Sequence, residues 1–302
     1  MTAEKPDHAS AAAQAEVARR IVEMTSRWAQ GATLAEIRGG FEELLAGPEP
    51  GRAESTTLAG MAAVRHRPAA DAPRGCVLFC HGGGFQIGSL RSHASLMARL
   101  AEASGTEVIG FDYRLAPEHR FPAQMEDGVA AYRAVLAANP HTRIVIAGDS
   151  AGGNLALTIA LQARDAGLTL PAALVLISPW LDLTMRGESY QSRAEKDIFS
   201  KPEALRAMAR TYLGRGGDPL APLASPVNAD LAGLPPILVH AGDFDITLDD
   251  STLLAQRAKQ VGVDCTLRVW PEMGHHFQVF DALPQARSSI ADIGVFIREA
   301  VR

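Results

Sequence analysis

At 302 residues, with 47% hydrophobic and 21% charged residues, the chain has the make-up of an ordinary soluble globular protein rather than a disordered or fibrous one. Its length, roughly twice that of a usual domain, suits one large α/β unit with an inserted cap. The formal charge of −5 is mild and no Lys/Arg-rich run offers a nucleic acid or an anionic membrane the counterion release that binding would use, so neither is expected as a partner.

The first twenty residues carry acidic side chains and no continuous apolar stretch, so no secretory leader is expected there, and no later segment approaches the ~20 apolar residues of a membrane span. A cytosolic location follows as the expectation. Cys76 and Cys80 sit four apart on one predicted strand, roughly 13 Å at strand rise and too far to bridge. With Cys265 they make an odd set without metal-ligand spacing, which reads as reduced thiols.

In chain order, the N-terminal segment predicts two helices. Val17, Ile21, Met24 and Trp28 share one face of the first; Thr33 and Glu36 form a capping-box pattern ahead of Leu34, Ile37, Phe41 and Leu44 in the second. Such faces must pack on something, and a cap over a pocket is one candidate. From about residue 57 short β-rich runs alternate with helical stretches. The strands are expected at 76–80, 108–113, 143–147, 173–178, 237–241 and 265–270, and the helices at 92–103, 122–138, 151–166, 248–261 and 285–301. Several strands are almost wholly apolar, as in a parallel sheet covered on both faces, so the alternation implies a doubly wound sheet. The stretch 183–222 breaks the pattern with a helical, Arg-rich insertion, the natural partner of the N-terminal helices.

The strand 76–80 runs into His81-Gly82-Gly83-Gly84-Phe85. Glycines leave the backbone bare, so N–H groups can approach a ligand oxygen closely, as an oxyanion hole requires. Gly83 and Gly84 are the expected donors. A phosphate loop would also use glycines, but the Gly-Lys-Ser/Thr ending of such a loop is missing. The strand 143–147 leads into Gly148-Asp149-Ser150-Ala151-Gly152-Gly153-Asn154 and then a helix, the context of a nucleophile elbow. Flanking glycines permit a crowded turn that lifts the Ser150 hydroxyl clear. The start of the following helix offers the Ala151 N–H and partial positive charge to a developing oxyanion.

A nucleophilic serine needs a base and an acid, which elbow-type hydrolases place after it in the order acid, then histidine. After Ser150 the histidines are His240, His275 and His276. His240 lies within a strand and reads as a core residue, whereas His275 and His276 follow a strand's carboxyl end, where sites assemble. In the loop 242–250, Asp249 and Asp250 open a helix and read as capping and dipole-complementing residues. Asp243 and Asp245 remain, and spacing does not choose between them.

Together these segments closely resemble the hormone-sensitive-lipase family of esterases, also called bacterial lipase group IV. The likeness runs from about residue 74 to 280 through HGGGF, DYRLAPEHRFPA at 112–123, GDSAGGNLA at 148–156, ISPWLDLT at 177–184 and the final MGHHF. It implies an α/β-hydrolase fold, a mostly parallel central sheet flanked by helices, with core segments 51–182 and 223–302 and a helical cap built from 1–50 and 183–222. It also implies that Asp245, with Asp249 four residues on, is the acid. His275, two after Met273 and two before Phe277, is the base. The acid loop lacks the common Asp-Pro-Leu wording, and His276 stands where the family usually has another residue. Tyr113, Arg114 and Glu118 are expected to brace the oxyanion loop, with Asp149, His81 and Gly82 in support.

The implied activity is a serine carboxylesterase for short- to medium-chain esters, with Ser150, Asp245 and His275 catalytic and Gly83, Gly84 and Ala151 holding the oxyanion. Lactones suit the same machinery, and amide or carbamate cleavage is the lesser expectation. No metal or organic cofactor is called for. A non-catalytic binder is the competing class, since the family includes a plant hormone receptor without the catalytic histidine; here serine, acid and histidine are all present. A homodimer could form through a sheet edge or the last helix.

Overall fold

The computed structural model of the protein describes residues 8–69, 75–138 and 140–302, the side chains of residues 8–10 excepted. Residues 1–7, part of the segment read above as lacking a leader, lie outside the described residues. In chain order the elements are α1 (His8–Ala29), α2 (Leu34–Leu45), β1 (Arg52–Leu58), β2 (Met61–Arg67), β3 (Cys76–Cys80), α3 (Ala94–Ser104), β4 (Glu107–Phe111), α4 (Ala123–Ala138), β5 (Ile144–Asp149), α5 (Ala151–Asp165), β6 (Ala173–Ile177), α6 (Ser189–Ser192), α7 (Pro202–Leu213), β7 (Ile237–Gly242), α8 (Leu248–Gln260), β8 (Cys265–Trp270) and α9 (Pro284–Ala300).

The strands form one eight-stranded sheet in the order β1-β2-β4-β3-β5-β6-β7-β8, parallel except where β2 meets β1 and β4. This is the α/β-hydrolase arrangement. Strands β3 to β7 are buried along their whole length, and successive side chains serve opposite layers. Leu78 and Cys80 pack with α4, α5 and α8, whereas Val77 and Phe79 pack with α3, α9 and the N-terminal helices. That two-sided burial is why these strands are apolar runs rather than alternating ones. No helix among the described residues is long and apolar enough to cross a membrane.

The hairpin β1–β2 has no counterpart in the sequence-based expectations. Its turn, Ala59-Gly60, has φ of 50° and 85°, and Leu58 pairs directly with Met61. The signal is faint because β1 is a sheet edge whose residues stay exposed almost throughout, so it needs no apolar run. Arg65 and Arg67 instead tie β2 to Glu107 of β4 at 2.6 and 2.8 Å.

What positions the site is the register. The order turns back after β4, so β3 and β5 are neighbours, with Cys80 opposite Gly148. The loops that follow these strands therefore leave the sheet side by side, at the crevice where open α/β sheets take ligands. Ile177 pairs with His240 and Gly242 with Trp270, which brings the loops after β7 and β8 to the same edge.

The N-terminal helices lie over that edge. The capping box at Thr33 is formed, with Glu36 N–H donating to Thr33 Oγ1 at 3.3 Å and Thr33 N–H to Glu36 Oε2 at 2.7 Å. Val17, Ile21, Phe41 and Leu44 are buried against the layer that holds Phe277 and Phe280. Asp249 and Asp250 do not cap their own helix. Asp250 accepts the N–H groups of Leu181 (2.7 Å) and Asp182 (2.9 Å) and the Tyr190 hydroxyl (2.8 Å), and Asp249 accepts the N–H of Ser189 (2.9 Å). Both carboxylates thus anchor the start of the insertion, a role that residue type and helix position alone conceal.

Candidate active site

Ser150 sits in the turn between β5 and α5 with φ 52° and ψ −120°, a conformation that costs a non-glycine residue on the order of 1–3 kcal/mol. The surroundings over-determine it. Ser150 N–H donates to Ile177 O at 2.8 Å, and its carbonyl accepts from Trp180 N–H at 3.1 Å. A Cβ on Gly152 would overlap the Cys80 carbonyl oxygen, and one on Gly148 would overlap that of Gly152. The glycines around the serine are therefore required by the close approach of the elbow to the end of β3.

His275 joins Ser150 to Asp245. His275 Nε2 lies 2.8 Å from Ser150 Oγ and His275 Nδ1 lies 2.9 Å from Asp245 Oδ1, with all three side chains buried. A carboxylate only accepts, so Nδ1 carries the proton and Nε2 is left as acceptor for the serine hydroxyl. Asp245 Oδ1 also takes the N–H (2.8 Å) and hydroxyl (2.9 Å) of Thr247. Asp243 is elsewhere: its side chain is 41% exposed and faces Arg193 of the insertion at 3.5 Å.

The two neighbouring histidines differ in electrostatic environment. Burial opposes the imidazolium of His275, but the charge and hydrogen bond of Asp245, with smaller help from Asp197 and Asp149, raise its pKa above the ordinary histidine value. Burial likewise opposes ionisation of Asp245, and His275 outweighs it, holding the carboxyl below its usual range. For His276 burial dominates, and with His275 alongside it drives the ring down to about 4 despite the bond to Asp149. Near neutral pH His276 is uncharged, with Nδ1 donating to Asp149 Oδ2 at 2.8 Å.

Asp149 is a junction rather than a reactant. It accepts the Gly82 N–H at 2.8 Å, faces His93 Nε2 at 3.1 Å and receives His276. One carboxylate thereby fixes the oxyanion loop, the start of α3 and the histidine loop relative to the elbow. Burial disfavours its charge, but His93 and His276 hold its carboxyl well below the usual range. His81 stacks on Tyr113 at 4.2 Å between centroids, and the Tyr113 hydroxyl donates to His81 O at 2.7 Å. Arg38 of α2 bonds Gln86 O at 2.8 Å and pairs with Glu118 at 2.8 Å, so that brace runs through the N-terminal helix. Arg114 does not join it: it turns to Asp127 and Glu126 of α4 at 2.8 and 3.1 Å. His240 is a buried residue of β7, bonded to Ser289 at 2.8 Å and paired with Asp292 of α9 at 3.1 Å.

Gly83, Gly84, Ser150, His275 and His276 line a cavity of about 380 Å³ whose other walls come from α1, α2 and the insertion, including Trp28, Phe41, Phe199 and Met208. Ala151, buried, begins α5 directly beside it. Among the described residues, two sets of side chains have the donor types of a metal site, His93–Asp149–His276 and Asp197–Asp245–His275, each with ligand atoms within 4.8 Å of one another. In the first, His93 and His276 both face the Asp149 carboxylate, and in the second His275 bonds Asp245 while Asp197 accepts backbone N–H groups, so each carboxylate is already engaged by protein donors.

Asp197 escaped the sequence reading. It is fully buried, accepts the N–H groups of Phe199 (2.9 Å), Ser200 (3.0 Å) and Ile246 (3.1 Å), and stands beside the Asp245–His275 pair. Burial first, and then the charge of Asp245, push its carboxyl up to about 6. Nothing in the run Glu195-Lys196-Asp197 separates this acid from a solvated one.

A family profile described as an alpha/beta hydrolase fold matches residues 77–279. The acetyl-hydrolase of Streptomyces hygroscopicus is 44% identical over 226 residues, covering 74% of this chain and 75% of that protein. An esterase of Acinetobacter venetianus is 39% identical over 222 residues, 73% of each. A crystal structure of an esterase from the bacterial hormone-sensitive lipase family superposes with a TM-score of 0.90 at 39% identity, covering 100% of both chains.

Proposed function

Because the chain belongs to the hormone-sensitive-lipase family of α/β-hydrolases, we propose that it cleaves short- to medium-chain carboxylic esters through an acyl-enzyme on Ser150. Carboxylic ester hydrolysis is its activity; the acyl-enzyme route and the substrate range are the proposal. The observation that supports it most is the line from Ser150 Oγ through His275 to Asp245, at 2.8 and 2.9 Å, beneath an apolar wall.

Ser150 Oγ attacks the ester carbonyl while His275 Nε2 takes its proton, and Asp245 stabilises the imidazolium. The carbonyl oxygen, now an anion, is received by the N–H groups of Gly83, Gly84 and Ala151. As the tetrahedral centre collapses, the C–O bond to the alcohol breaks and His275 protonates the departing oxygen. Water then attacks the acyl group by the same route, giving the acid and free Ser150. A cavity of about 380 Å³ is at the small end for ligand sites, which suits short acyl groups. A lactone fits the same atoms, its leaving oxygen staying tethered to the acyl group, so ε-caprolactone belongs in the substrate panel.

A fluorophosphonate probe is expected to label Ser150 stoichiometrically, read by peptide mass spectrometry. Folded protein that stays unlabelled would overturn the reading in favour of a non-catalytic binder. A further expectation concerns Asp197. Its charge favours the imidazolium of His275, so Asp197→Asn lowers the histidine pKa and extends the neutral base to lower pH. The acid limb of the kcat/KM profile for p-nitrophenyl acetate should move to lower pH. An unmoved limb would leave Asp197 with a structural role only.

A further inference from the structure

We propose that a second apolar cavity behind Phe199 is a subsite for the distal part of a longer acyl chain, and that the Phe199 ring is the partition that limits chain length. This rests on the reading that Ser150 carries the acyl group.

The second cavity, about 230 Å³, is lined mainly by Val17, Ile21, Ile198, Phe277, Phe280 and Leu283. It shares only Phe199 and His275 with the cavity that holds Ser150. Phe199 therefore separates two apolar spaces that meet at the catalytic histidine. Its neighbours show the same division. Its ring meets Phe41, from the wall of the first cavity, at 6.2 Å and 62°, and Phe280, from the wall of the second, at 6.2 Å and 66°. It meets His276 edge-on at 4.5 Å.

The partition is one ring thick, and no polar group of Phe199's side chain has to be satisfied when it moves. Phe199 belongs to an irregular stretch between α6 and α7, anchored through its own N–H to Asp197 at 2.9 Å, so the backbone can stay while the ring turns. The lining on the far side is mostly hydrocarbon, which favours an alkyl tail over a polar alcohol. Of the polar members of the lining, Lys196 and Glu272 are exposed, and Gln14 is half-buried with its amide nitrogen buried and unpartnered among the described residues, a polar point on this wall. Each methylene transferred into such a site is worth about fourfold in binding.

The test compares kcat/KM for p-nitrophenyl acetate, butyrate, octanoate and decanoate in the wild type, Phe199→Ala, Phe199→Leu and the double variant Phe199→Ala/Val17→Phe. Val17 lines only the second cavity, so the added ring fills it. The octanoate-to-acetate ratio should rise at least about tenfold in Phe199→Ala, less in Phe199→Leu, and fall back in the double variant. A ratio that stays flat in both single variants, or a gain that survives filling of the second cavity, would overturn the inference. Fluorophosphonate labelling of Ser150 in every variant separates the outcomes: labelling with a flat ratio sinks the subsite alone, whereas failure of the wild type to label sinks the reaction itself.

Discussion

Ser150→Ala is expected to lower kcat for p-nitrophenyl acetate by about 10⁴- to 10⁶-fold while the protein still folds. The hydroxyl is the only atom removed, its hydrogen bond is to His275 Nε2 at 2.8 Å, and the methyl left behind fits where Cβ already stands. The backbone conformation at φ 52° is imposed by bonds that the substitution leaves in place, those of the Ser150 N–H and C=O. The thermal midpoint should therefore shift little. Steady-state kinetics against active-site-titrated wild type, with circular dichroism melts of both, decide it: near-normal turnover by folded Ser150→Ala would remove the serine from the reaction.

The second large effect separates two aspartates that spacing leaves equivalent. Asp245→Asn should cost about 10⁴ in kcat, because an amide NH₂ facing His275 Nδ1 favours the tautomer whose proton sits on Nε2, where the serine must be deprotonated. In addition, the Nδ1 proton and the two Thr247 donors converge on Oδ1, and an uncharged amide oxygen in that place stabilises the imidazolium far less than a carboxylate does. Asp243→Asn should stay within about twofold, since its partner is Arg193 at 3.5 Å in a part-exposed pair of little energetic weight. The paired comparison is the measurement, and equal losses from both variants would contradict the assignment of the acid.

Much of this architecture was legible because it is local or periodic. Apolar runs for β3 to β7 reflect burial on both faces, and the glycines around Ser150 reflect a close approach that any side chain would block. The N-terminal faces could be read for the same reason, a 3.6-residue repeat. What escaped lacks such a signature. Strand β1 is exposed and largely polar; Asp197 is buried by tertiary packing that its charged neighbours hide; Phe199 becomes a wall only when α1, the insertion and the histidine loop converge on it. His93 and His276 meet through Asp149 across 56 and 127 residues of chain. Residue type and spacing name candidates among Asp243, Asp245, Asp249 and Asp250; the family resemblance points to Asp245, and the fold places that carboxylate on His275.

The cavity that holds Ser150 is walled by residues from Thr25 to His276, almost the full span of the chain. During synthesis the apolar faces of α1 and α2 leave the ribosome well before the aromatic groups they cover, Phe199, Phe277 and Phe280. These helices must wait uncovered while the sheet is made, and contacts of such sequence separation close late. In refolding, recovery of helical signal should therefore precede recovery of hydrolysis, and catalytic activity becomes a clock for the last docking event rather than for formation of the serine elbow.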